Sequence, residues 1–457
     1  MKFEQLHSVY FIGIGGIGMS ALARWFMHIG KTVKGYDRTE TALTKALQAE
    51  GMEIHFDDSV DLIPSEVKEN REQALVVYTP AIPNDHQEFN WLKDQGFEIM
   101  KRSQVLGLIT KNMRSVAVAG THGKTTTSSM VVHLLKSCGI DCAGFLGGIS
   151  ANYNTNMILN DKQDAIAVIE ADEFDRSFLT LHPDLAVVTA TDADHLDIYG
   201  HKDALKDSFR LFIDQINEGG KLFIKNTVAE DIVQERTLSH QAYGFSGDGI
   251  NAENVKIENA SFTFDYSNGE KTIEGVTLNV PGYHNVENML AAISISKELG
   301  ADDESIKQAV ASYKGVKRRF EYIIKSEALT FIDDYAHHPV EIEALLRSVR
   351  DLYPGQKITA IFQPHLFSRT KDFAEGFSQS LSLADELIML DIYPARELPM
   401  EGVTSDLILK NVDLDRKEIV SKDALNEKVL SWQPEVVLTI GAGDIDKLVQ
   451  PLKEALL

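Results

Sequence analysis

The stretch VAVAGTHGKTTTSSM, Val116–Met130, decides the fold of the middle of this chain. It continues an apolar run, SVAVAG, which predicts a buried strand that ends at a glycine turn. From Lys124 to about Cys138 the pattern predicts a helix. A strand, a glycine turn and a helix in direct succession are typical of a parallel α/β sheet, with the turn at the carboxyl edge of the sheet.

The turn has the residues of a loop that binds nucleotide phosphates. Only two residues separate its first Gly from its Gly-Lys, a shorter spacing than in the usual P-loop, whose first glycine position here holds Val118. In such a loop, Lys124 is expected to meet the β- and γ-phosphates, and Thr125 to offer its hydroxyl to Mg²⁺. A lysine that faces phosphate contributes little to a core, so we expect Lys124 to add little to folding stability.

Length and composition limit the class of protein. The chain has 457 residues, more than one hydrophobic core usually organises, which predicts several domains. Its formal net charge of −23 argues against nucleic acid as a partner, because such binding needs basic surface. No apolar run approaches the ~20 residues that span a bilayer, and the N-terminus lacks a signal-peptide pattern, so we expect a cytoplasmic protein without membrane association.

Apolar runs alternate with amphipathic helical patterns along the chain, which predicts an α/β fold with parallel sheets and crossover helices. We expect three domains. A Rossmann-like N-terminal domain covers residues 1–107, a central P-loop domain covers 108–317, and a Rossmann-like C-terminal domain covers 318–457. A small β-rich part of the central domain is expected around residues 252–280, with a turn at Asn268-Gly269.

The motif GIGGIG, Gly13–Gly18, fits the G-x-G-x-x-G pattern between a predicted strand and a predicted helix. Glycines at this place let backbone amides approach a diphosphate at the positive end of the helix. Asp37 ends the next predicted strand, where a carboxylate accepts a hydrogen bond from a ribose hydroxyl. The motif does not identify the base, since NAD, FAD and a UDP-sugar all satisfy it.

Two consecutive predicted strands of the central domain end in acidic residues. The first is followed by Glu170, Asp172, Glu173 and Asp175, and the second by Asp192, Asp194, His195 and Asp197. Parallel strands end at the same edge of a sheet, so these side chains are expected near the phosphate loop. Carboxylates and a neutral imidazole at that edge predict a magnesium site.

Two basic motifs stand in the third predicted domain. Arg318 and Arg319, in KRRF, are candidates for clamping a transferring phosphoryl group. Arg369, in QPHLFSRT, is a candidate for binding a carboxylate through two parallel hydrogen bonds.

Together these motifs resemble the Mur ligase family, the ATP-dependent amide ligases of bacterial peptidoglycan synthesis. The resemblance rests on GTHGKTTT, EADE, DHLD, HNVEN, RRFE and DDYAHHP, which occur in the family's order over nearly the whole chain. It implies ATP and Mg²⁺ as cofactors, and a monomer or weak homodimer. GIGGIGMSALA and QPHLFSRT favour the branch whose substrates are UDP-N-acetylmuramate and L-alanine. In that reaction the lactyl carboxylate of the sugar becomes an acyl phosphate, which the amine of alanine then attacks.

Three alternatives stay open. A related ligase adds a recycled peptide to the same sugar, but its N-terminal loop and third-domain motif differ from those quoted. A nicotinamide-dependent oxidoreductase would account for GIGGIG and Asp37 and leave the Gly-Lys-Thr loop unexplained. An ATPase switch without a small-molecule product would leave the first-domain glycine turn unexplained.

The resemblance also assigns roles to individual residues. Those implied for UDP-sugar binding are Gly13, Gly15, Gly16, Gly18, Met19 and Asp37. Those implied for ATP binding are Gly120, Thr121, His122, Gly123, Lys124, Thr125, Thr126, Asn285, Asn288, Arg319 and Asp334. The implied metal ligands are Thr125, Glu170 and His195, and the implied amino-acid site is Tyr335, His337 and Arg369. The implied catalytic residues are Lys124, Glu170, His195 and Arg319.

One position departs from several sister ligases. They carry a carbamylated lysine that helps to hold a second magnesium ion, and by alignment the same position here is Phe209. Lys206 stands three residues earlier, on nearly the same helix face. The resemblance therefore leaves the presence of a carbamylated lysine open.

Overall fold

The computed structural model describes residues 3–162, 164–192, 202–258, 261–395 and 397–457. They form two compact units. The first unit comprises Met1–Asn254, Phe264–Val276 and Glu287–Tyr313, and the second comprises Val255–Thr263, Thr277–Val286 and Lys314–Leu457. Within the described ranges, every helix is too short or too polar to serve as a membrane span.

The N-terminal part of the first unit is a parallel sheet with the strand order β3-β2-β1-β4-β5. Its strands are β1 (Ser8–Ile12), β2 (Thr32–Tyr36), β3 (Glu53–His55), β4 (Ala74–Tyr78) and β5 (Glu98–Lys101). Its helices are α1 (Ile17–His28), α2 (Ala42–Ala49), α3 (Ser65–Glu69), α4 (Gln87–Asp94) and α5 (Arg102–Asn112). The strand order reverses direction at β1, so the glycine turn that follows β1 lies at the switch point where parallel sheets bind ligands.

The central sheet has the order β15-β14-β13-β12-β11-β10-β6-β9-β7-β8. Its strands are β6 (Ser115–Ala119), β7 (Cys142–Ser150), β8 (Thr155–Ile158), β9 (Ile166–Ala171), β10 (Leu185–Val188), β11 (Lys221–Lys225), β12 (His240–Gly244), β13 (Ile250–Glu258), β14 (Ser261–Ser267) and β15 (Thr272–Leu278). The helices are α6 (Lys124–Ser137), α7 (Lys202–Ile213), α8 (Asn226–Val233), α9 (Tyr283–Glu298) and α10 (Asp303–Ser312). Strand β6 pairs in parallel with β10 on one side and β9 on the other, so the phosphate loop lies between the two acid-ended strands.

The C-terminal sheet belongs to the second unit and has the order β16-β17-β21-β18-β19-β20. Its strands are β16 (Glu321–Lys325), β17 (Thr330–Asp334), β18 (Ile358–Phe362), β19 (Glu386–Met389), β20 (Arg416–Ile419) and β21 (Val436–Ile440). The helices are α11 (Pro339–Leu352), α12 (Phe367–Asp372), α13 (Ala374–Leu381), α14 (Asp406–Leu409), α15 (Leu425–Trp432) and α16 (Asp446–Leu456). Only the edge pair of β16 and β17 is antiparallel among the pairs described for this sheet.

The predicted fold class is confirmed: α/β domains with largely parallel sheets occur at both ends and in the middle of the chain. Strands β1, β6, β18 and β21 are buried at every residue, which is why their sequences read as unbroken apolar runs rather than as alternating patterns. Helix α6 ends at Ser137, one residue from the predicted end. The exact domain boundaries, near residues 107 and 317, stay a prediction.

Candidate active site

The glycine turn after β1 is closed by backbone hydrogen bonds and braced by one carboxylate. The N–H groups of Gly13 and Ile14 donate to the Tyr36 carbonyl at 2.8 and 3.0 Å. The Asp37 Oδ2 accepts from the Gly15 N–H at 2.7 Å. The contact of Asp37 with a ribose hydroxyl stays a prediction, and the carboxylate that would make it is held in place by the turn.

Gly18 has a reason to be glycine that the motif did not reveal. A Cβ added at Gly18 would lie 2.0 Å from Nη1 of Arg102, so a side chain here would displace the guanidinium. The other amino group of Arg102 lies 3.6 Å from Oδ2 of Asp172, in the acidic segment after β9. The neighbouring Met19 is only 3% exposed and packs in the hydrophobic core. A role of Met19 in sugar binding would therefore fall on its backbone.

Two glycines make the short phosphate loop possible. Gly120 has a φ of +139°, and a Cβ there would lie 2.0 Å from Oγ1 of Thr189. Gly123 has a φ of +82°, and its added Cβ would lie 2.9 Å from Oδ1 of Asn288. The Thr121 N–H donates to the Ala190 carbonyl at 3.0 Å, which ties the loop to the end of β10. The loop is thus packed against its neighbours on both sides, and both positions need a residue without a side chain.

Lys124 begins α6, and its ammonium is held by the acidic segment after β9. Nζ lies 2.6 and 2.9 Å from the two carboxylate oxygens of Glu173 and 2.7 Å from the Gly120 carbonyl. The Glu173 side chain is fully buried, and that of Lys124 is 13% exposed. Burial lowers the pKa of Lys124, but nearby carboxylates, with Glu173 first, outweigh burial and raise it above its ordinary value. The expectation that Lys124 adds little to folding stability stays a prediction, and its ion pair with the buried Glu173 argues against it.

Thr125 and Glu170 face each other at the same edge. The Thr125 hydroxyl lies 3.0 Å from Oε1 of Glu170, whose Oε2 accepts from the Gly147 N–H at 2.9 Å. A hydroxyl and a carboxylate oxygen at this spacing are hard oxygen donors of the kind that Mg²⁺ prefers. Among the residues described, no group of three or more His, Cys, Asp and Glu side chains is placed to hold a metal ion. The third predicted ligand, His195, lies outside the described residues.

The remaining residues predicted for ATP binding in the loop and on α9 have defined surroundings. Nε2 of His122 lies 3.9 Å from Oδ2 of Asp192. The Thr126 carbonyl accepts a long hydrogen bond of 3.5 Å from the Tyr313 hydroxyl. Asn285 and Asn288 lie three residues apart on α9 and are both buried, and Nδ2 of Asn285 donates to the Pro281 carbonyl at 2.6 Å. Their predicted contact with adenine stays a prediction.

In the second unit, both arginines of KRRF lie beside Tyr335. Arg318 donates from Nε to Oδ2 of Asp333 at 3.0 Å and from Nη2 to the Gly441 carbonyl at 2.7 Å. Both guanidinium groups lie over the ring of Tyr335, with Cζ 5.3 Å from the ring centroid for Arg318 and 5.1 Å for Arg319. Arg318 is therefore held in the structure of the unit, and both arginines stand beside Tyr335, which is predicted to bind the amino acid.

Asp334 ends β17 and is fixed by two backbone hydrogen bonds. Its Oδ2 accepts from the Phe320 N–H at 2.6 Å, and its Oδ1 accepts from the Ala336 N–H at 2.8 Å. Burial raises the pKa of Asp334 to about 6, against the opposing effect of Arg319 and of the two N–H groups. The carboxyl group therefore changes charge just below neutral pH.

The residues predicted for the amino acid follow β17 and β18, which flank β21 in the sheet. His337 lies with its ring centroid 5.4 Å from that of Tyr335 and 6.3 Å from that of His365. Its Nδ1 is 3.3 Å from Oε2 of Glu341. Burial lowers the pKa of His337, Glu341 opposes this, and the positive charges of Arg369 and Arg319 lower it further. The imidazole of His337 is thus neutral at neutral pH and lies within the electrostatic range of Arg369.

Family models match the chain in three consecutive segments. Residues 8–114 match the Mur ligase family, catalytic domain; residues 118–296 match the Mur ligase middle domain; residues 318–443 match the Mur ligase, glutamate ligase domain. The chain belongs to the Mur ligase family. The three matched segments contain the glycine turn, the phosphate loop and the arginine-bearing sheet respectively.

Individual Mur ligases resemble the chain over its full length. It is 48% identical over 456 residues to the UDP-N-acetylmuramate–L-alanine ligase of Flavobacterium johnsoniae, covering 100% of this chain and 99% of that protein. It is also 48% identical over 459 residues to the ligase of the same name from Parabacteroides distasonis, covering 100% and 98%. The crystal structure of UDP-N-acetylmuramate–alanine ligase from Thermotoga maritima superposes with a TM-score of 0.80 at 28% identity, covering 98% of this chain and 99% of that one. A murein peptide ligase from Psychrobacter arcticus, at 22% identity and a TM-score of 0.71, shares the fold.

Three residues near the candidate site were missed or left without a role by sequence reasoning. Glu173 was grouped with the other acids and not singled out, although it is the partner of Lys124. Arg102 begins α5 and carries no motif of its own, and Gly147 contributes only its N–H. The one available signal was the pair of adjacent acids at the end of EADE, Asp172 and Glu173. Carboxylates next to a predicted metal ligand favour a cationic side chain as a neighbour.

Proposed function

We propose that the chain joins L-alanine to the lactyl carboxylate of UDP-N-acetylmuramate at the expense of ATP, a step of peptidoglycan precursor synthesis. The observation that carries this proposal is the full-length identity to ligases named for that reaction. Residues 1–107 would bind the UDP-sugar, 108–317 would bind ATP, and 318–457 would bind the amino acid. The protein would act as a monomer or weak homodimer.

The chemistry begins with activation of a carboxylate. A lactyl carboxylate oxygen attacks the γ-phosphorus of ATP, an O–P bond forms, the bond to ADP breaks, and an acyl phosphate results. The amine of L-alanine then attacks the acyl carbon, the C–N bond forms, and the C–O bond breaks with inorganic phosphate as the leaving group. The amine loses a proton in this step. Phosphate is a far better leaving group than oxide, which is why the first step is needed.

Both reactants of the first step are anions, so positive charge must screen their approach. Lys124 supplies one charge at the phosphate loop, and its raised pKa keeps it protonated at neutral pH. Glu173 holds Nζ within 2.7 Å of the Gly120 carbonyl, so the ammonium is already at the loop. Arg319, over the Tyr335 ring, is the second candidate cation.

We infer that Mg²⁺ assists at the edge formed by Thr125 and Glu170. Their oxygens, 3.0 Å apart, match the ligands that this cation takes in proteins, and His195 is the further ligand implied by the family motif. When bound, the ion would neutralise charge on the phosphate oxygens. The catalytic residues of this proposal are Lys124, Glu170, His195 and Arg319.

The rest of ATP would be held by the loop residues, by α9 and by Asp334. The N–H groups of Lys124, Thr125 and Thr126 belong to the first turn of α6, where an anion is favoured. Asn285 and Asn288 would meet the adenine, and Asp334 would meet the ribose. In the N-terminal part, the turn from Gly13 to Gly18 would meet the diphosphate of the sugar nucleotide, with Asp37 behind it.

The amino acid would be bound by Arg369, with Tyr335 and His337 beside it. A guanidinium binds a carboxylate through two parallel hydrogen bonds, which suits the carboxylate of L-alanine. His337 is a candidate acceptor for the amine proton, because its lowered pKa keeps the imidazole neutral. The recycling ligase is the second candidate in chemistry, but the murein peptide ligase of Psychrobacter arcticus shares the fold at only 22% identity.

Release of phosphate from ATP tests the proposal, measured with each substrate alone and with both together. Release that requires UDP-N-acetylmuramate and L-alanine together is the expected result. Release with a tripeptide in place of alanine would favour the recycling ligase. Phosphate release without either substrate would favour an ATPase switch, and a change in nicotinamide absorbance without phosphate release would favour an oxidoreductase.

A further inference from the structure

The loop that leads into α12 is held by the segment that follows β19 in the chain. The Leu366 N–H donates to the Tyr393 carbonyl at 2.9 Å, and the Tyr393 N–H donates to the Pro364 carbonyl at 2.8 Å. The rings of His365 and Tyr393 stack, with centroids 5.8 Å apart and planes at 22°. Two backbone hydrogen bonds and one stacked pair thus fasten the loop just before Arg369.

Glu397 completes this attachment with its carboxylate. Oε2 accepts from the Ser368 N–H at 3.0 Å, and Oε1 accepts a short hydrogen bond from the Ser368 hydroxyl. The Glu397 N–H donates to the Pro394 carbonyl at 2.9 Å, and this hydrogen bond holds the backbone that carries the carboxylate. Burial raises the pKa of Glu397, but the hydroxyl and N–H donors outweigh it and lower the pKa below its ordinary value. The carboxylate is therefore charged and fully engaged at neutral pH.

Helix α12 depends on such an outside attachment. It has six residues, Phe367–Asp372, too few to be stable by its own hydrogen bonds. Leu366, immediately before it, has a φ of +69°, a conformation that costs free energy in any residue other than glycine. A charged acceptor for the Ser368 N–H stabilises the first turn of α12, because hydrogen bonds to ionised groups are stronger than those between neutral groups.

We propose that Glu397 is a positioning residue for the amino-acid site: it fixes the start of α12 and thereby the guanidinium of Arg369, one residue beyond Ser368. The proposal rests on the proposed function, in which Arg369 binds the carboxylate of L-alanine. Glu397 itself does not touch the substrate. We expect its effect on the binding of the amino acid, since its carboxylate contacts Ser368, in the helix that carries Arg369.

The test compares Glu397→Ala, Glu397→Gln and Ser368→Ala with the parent enzyme in steady-state kinetics with L-alanine, ATP and UDP-N-acetylmuramate. A displacement of about 1 Å in a positioning group costs on the order of a hundredfold, so Glu397→Ala should raise KM for L-alanine at least tenfold. Glu397→Gln keeps an acceptor oxygen for Ser368 and should give an intermediate KM. Ser368→Ala loses only the hydroxyl and should also be intermediate. KM for ATP should stay within about twofold of the parent value in all three variants.

The control is Glu375→Gln, an exposed residue of α13 that pairs only weakly with Gln379, at 3.2 Å. It should leave every KM unchanged. Circular dichroism establishes that each variant is folded, and Glu397→Gln and Ser368→Ala carry the test if Glu397→Ala does not fold. An unchanged KM for alanine in an active parent background would overturn the proposal. Equal rises in the KM values for ATP and alanine would overturn it too, in favour of a general structural role. A parent enzyme without alanine-dependent phosphate release would overturn the proposed function and this inference with it.

Discussion

Replacing Lys124 by methionine keeps most of the side-chain volume and removes its charge. In the parent protein Nζ lies 2.6 Å from Oε2 of Glu173, whose side chain is fully buried. The variant leaves that carboxylate buried without its cation, and breaking a buried pair from one side costs about 3–5 kcal/mol. We therefore expect Lys124→Met to lower the free energy of unfolding by roughly 3 kcal/mol or more, besides abolishing turnover.

The reverse change, Glu173→Gln, should cost less. The Lys124 ammonium keeps the Gly120 carbonyl as an acceptor at 2.7 Å, and it keeps the negative charge of Asp172 and Glu170. The loss is then close to that of one charge-assisted hydrogen bond, about 1.5–3 kcal/mol. In the double variant neither charge remains, so its destabilisation should fall short of the sum of the single changes by about 2 kcal/mol.

Urea unfolding followed by circular dichroism measures this cycle. The matched control is the pair of Lys101 and Asp175, 3.1 Å apart, whose side chains are 40% and 43% exposed. Its cycle, with Lys101→Met and Asp175→Asn, should give a coupling of less than about 1 kcal/mol because solvent screens exposed pairs. If Lys124→Met and Glu173→Gln add within about 0.5 kcal/mol, the buried pair does not contribute as argued.

Three further predictions concern activity. The pKa of Asp334, about 6, means that its carboxylate is lost as pH falls through that value, so kcat/KM for ATP should fall with it and Asp334→Asn should flatten this limb of the pH profile. Glu170→Gln should raise the Mg²⁺ concentration needed for half-maximal phosphate release, whereas superimposable titrations would remove Glu170 from the metal site. If Phe209, whose fully buried ring lies 5.3 Å from that of Phe178, occupies the position of the carbamylated lysine, activity should not depend on dissolved CO₂. Loss of turnover in bicarbonate-free buffer, restored by bicarbonate, would instead assign that role to another lysine. Lys206, the lysine nearest to Phe209 in the sequence, forms an ion pair with Asp231.

Local chemistry in the sequence was enough to predict several parts of the fold. The apolar runs of β1, β6, β18 and β21 are continuous because both faces of a parallel sheet are covered, and that pattern is visible without coordinates. The glycines also predicted the turns correctly, since Gly13, Gly120 and Gly123 all have positive φ angles that favour glycine. Spacing also placed Thr125 and Glu170 at one edge, where the structure brings them to 3.0 Å.

The partners of the charged residues could not be predicted in this way. Glu170, Asp172 and Glu173 are alike in the sequence, yet Glu173 pairs with Lys124, Glu170 faces Thr125, and Asp172 lies near Arg102. Sequence likewise treats Arg318 and Arg319 as equals.

The order and register of the strands decide these partners. Lys124 meets Glu173 across 49 residues of chain because β6 and β9 are neighbours in the sheet. Arg318 reaches Gly441, 123 residues away, after β21 pairs with β17. Fold class and turn chemistry depend on near neighbours in sequence, and so the sequence by itself determined them. The pairing of a buried charge depends on which side chain the tertiary structure brings within about 3 Å, because the interaction falls with distance and desolvation penalises a charge left alone.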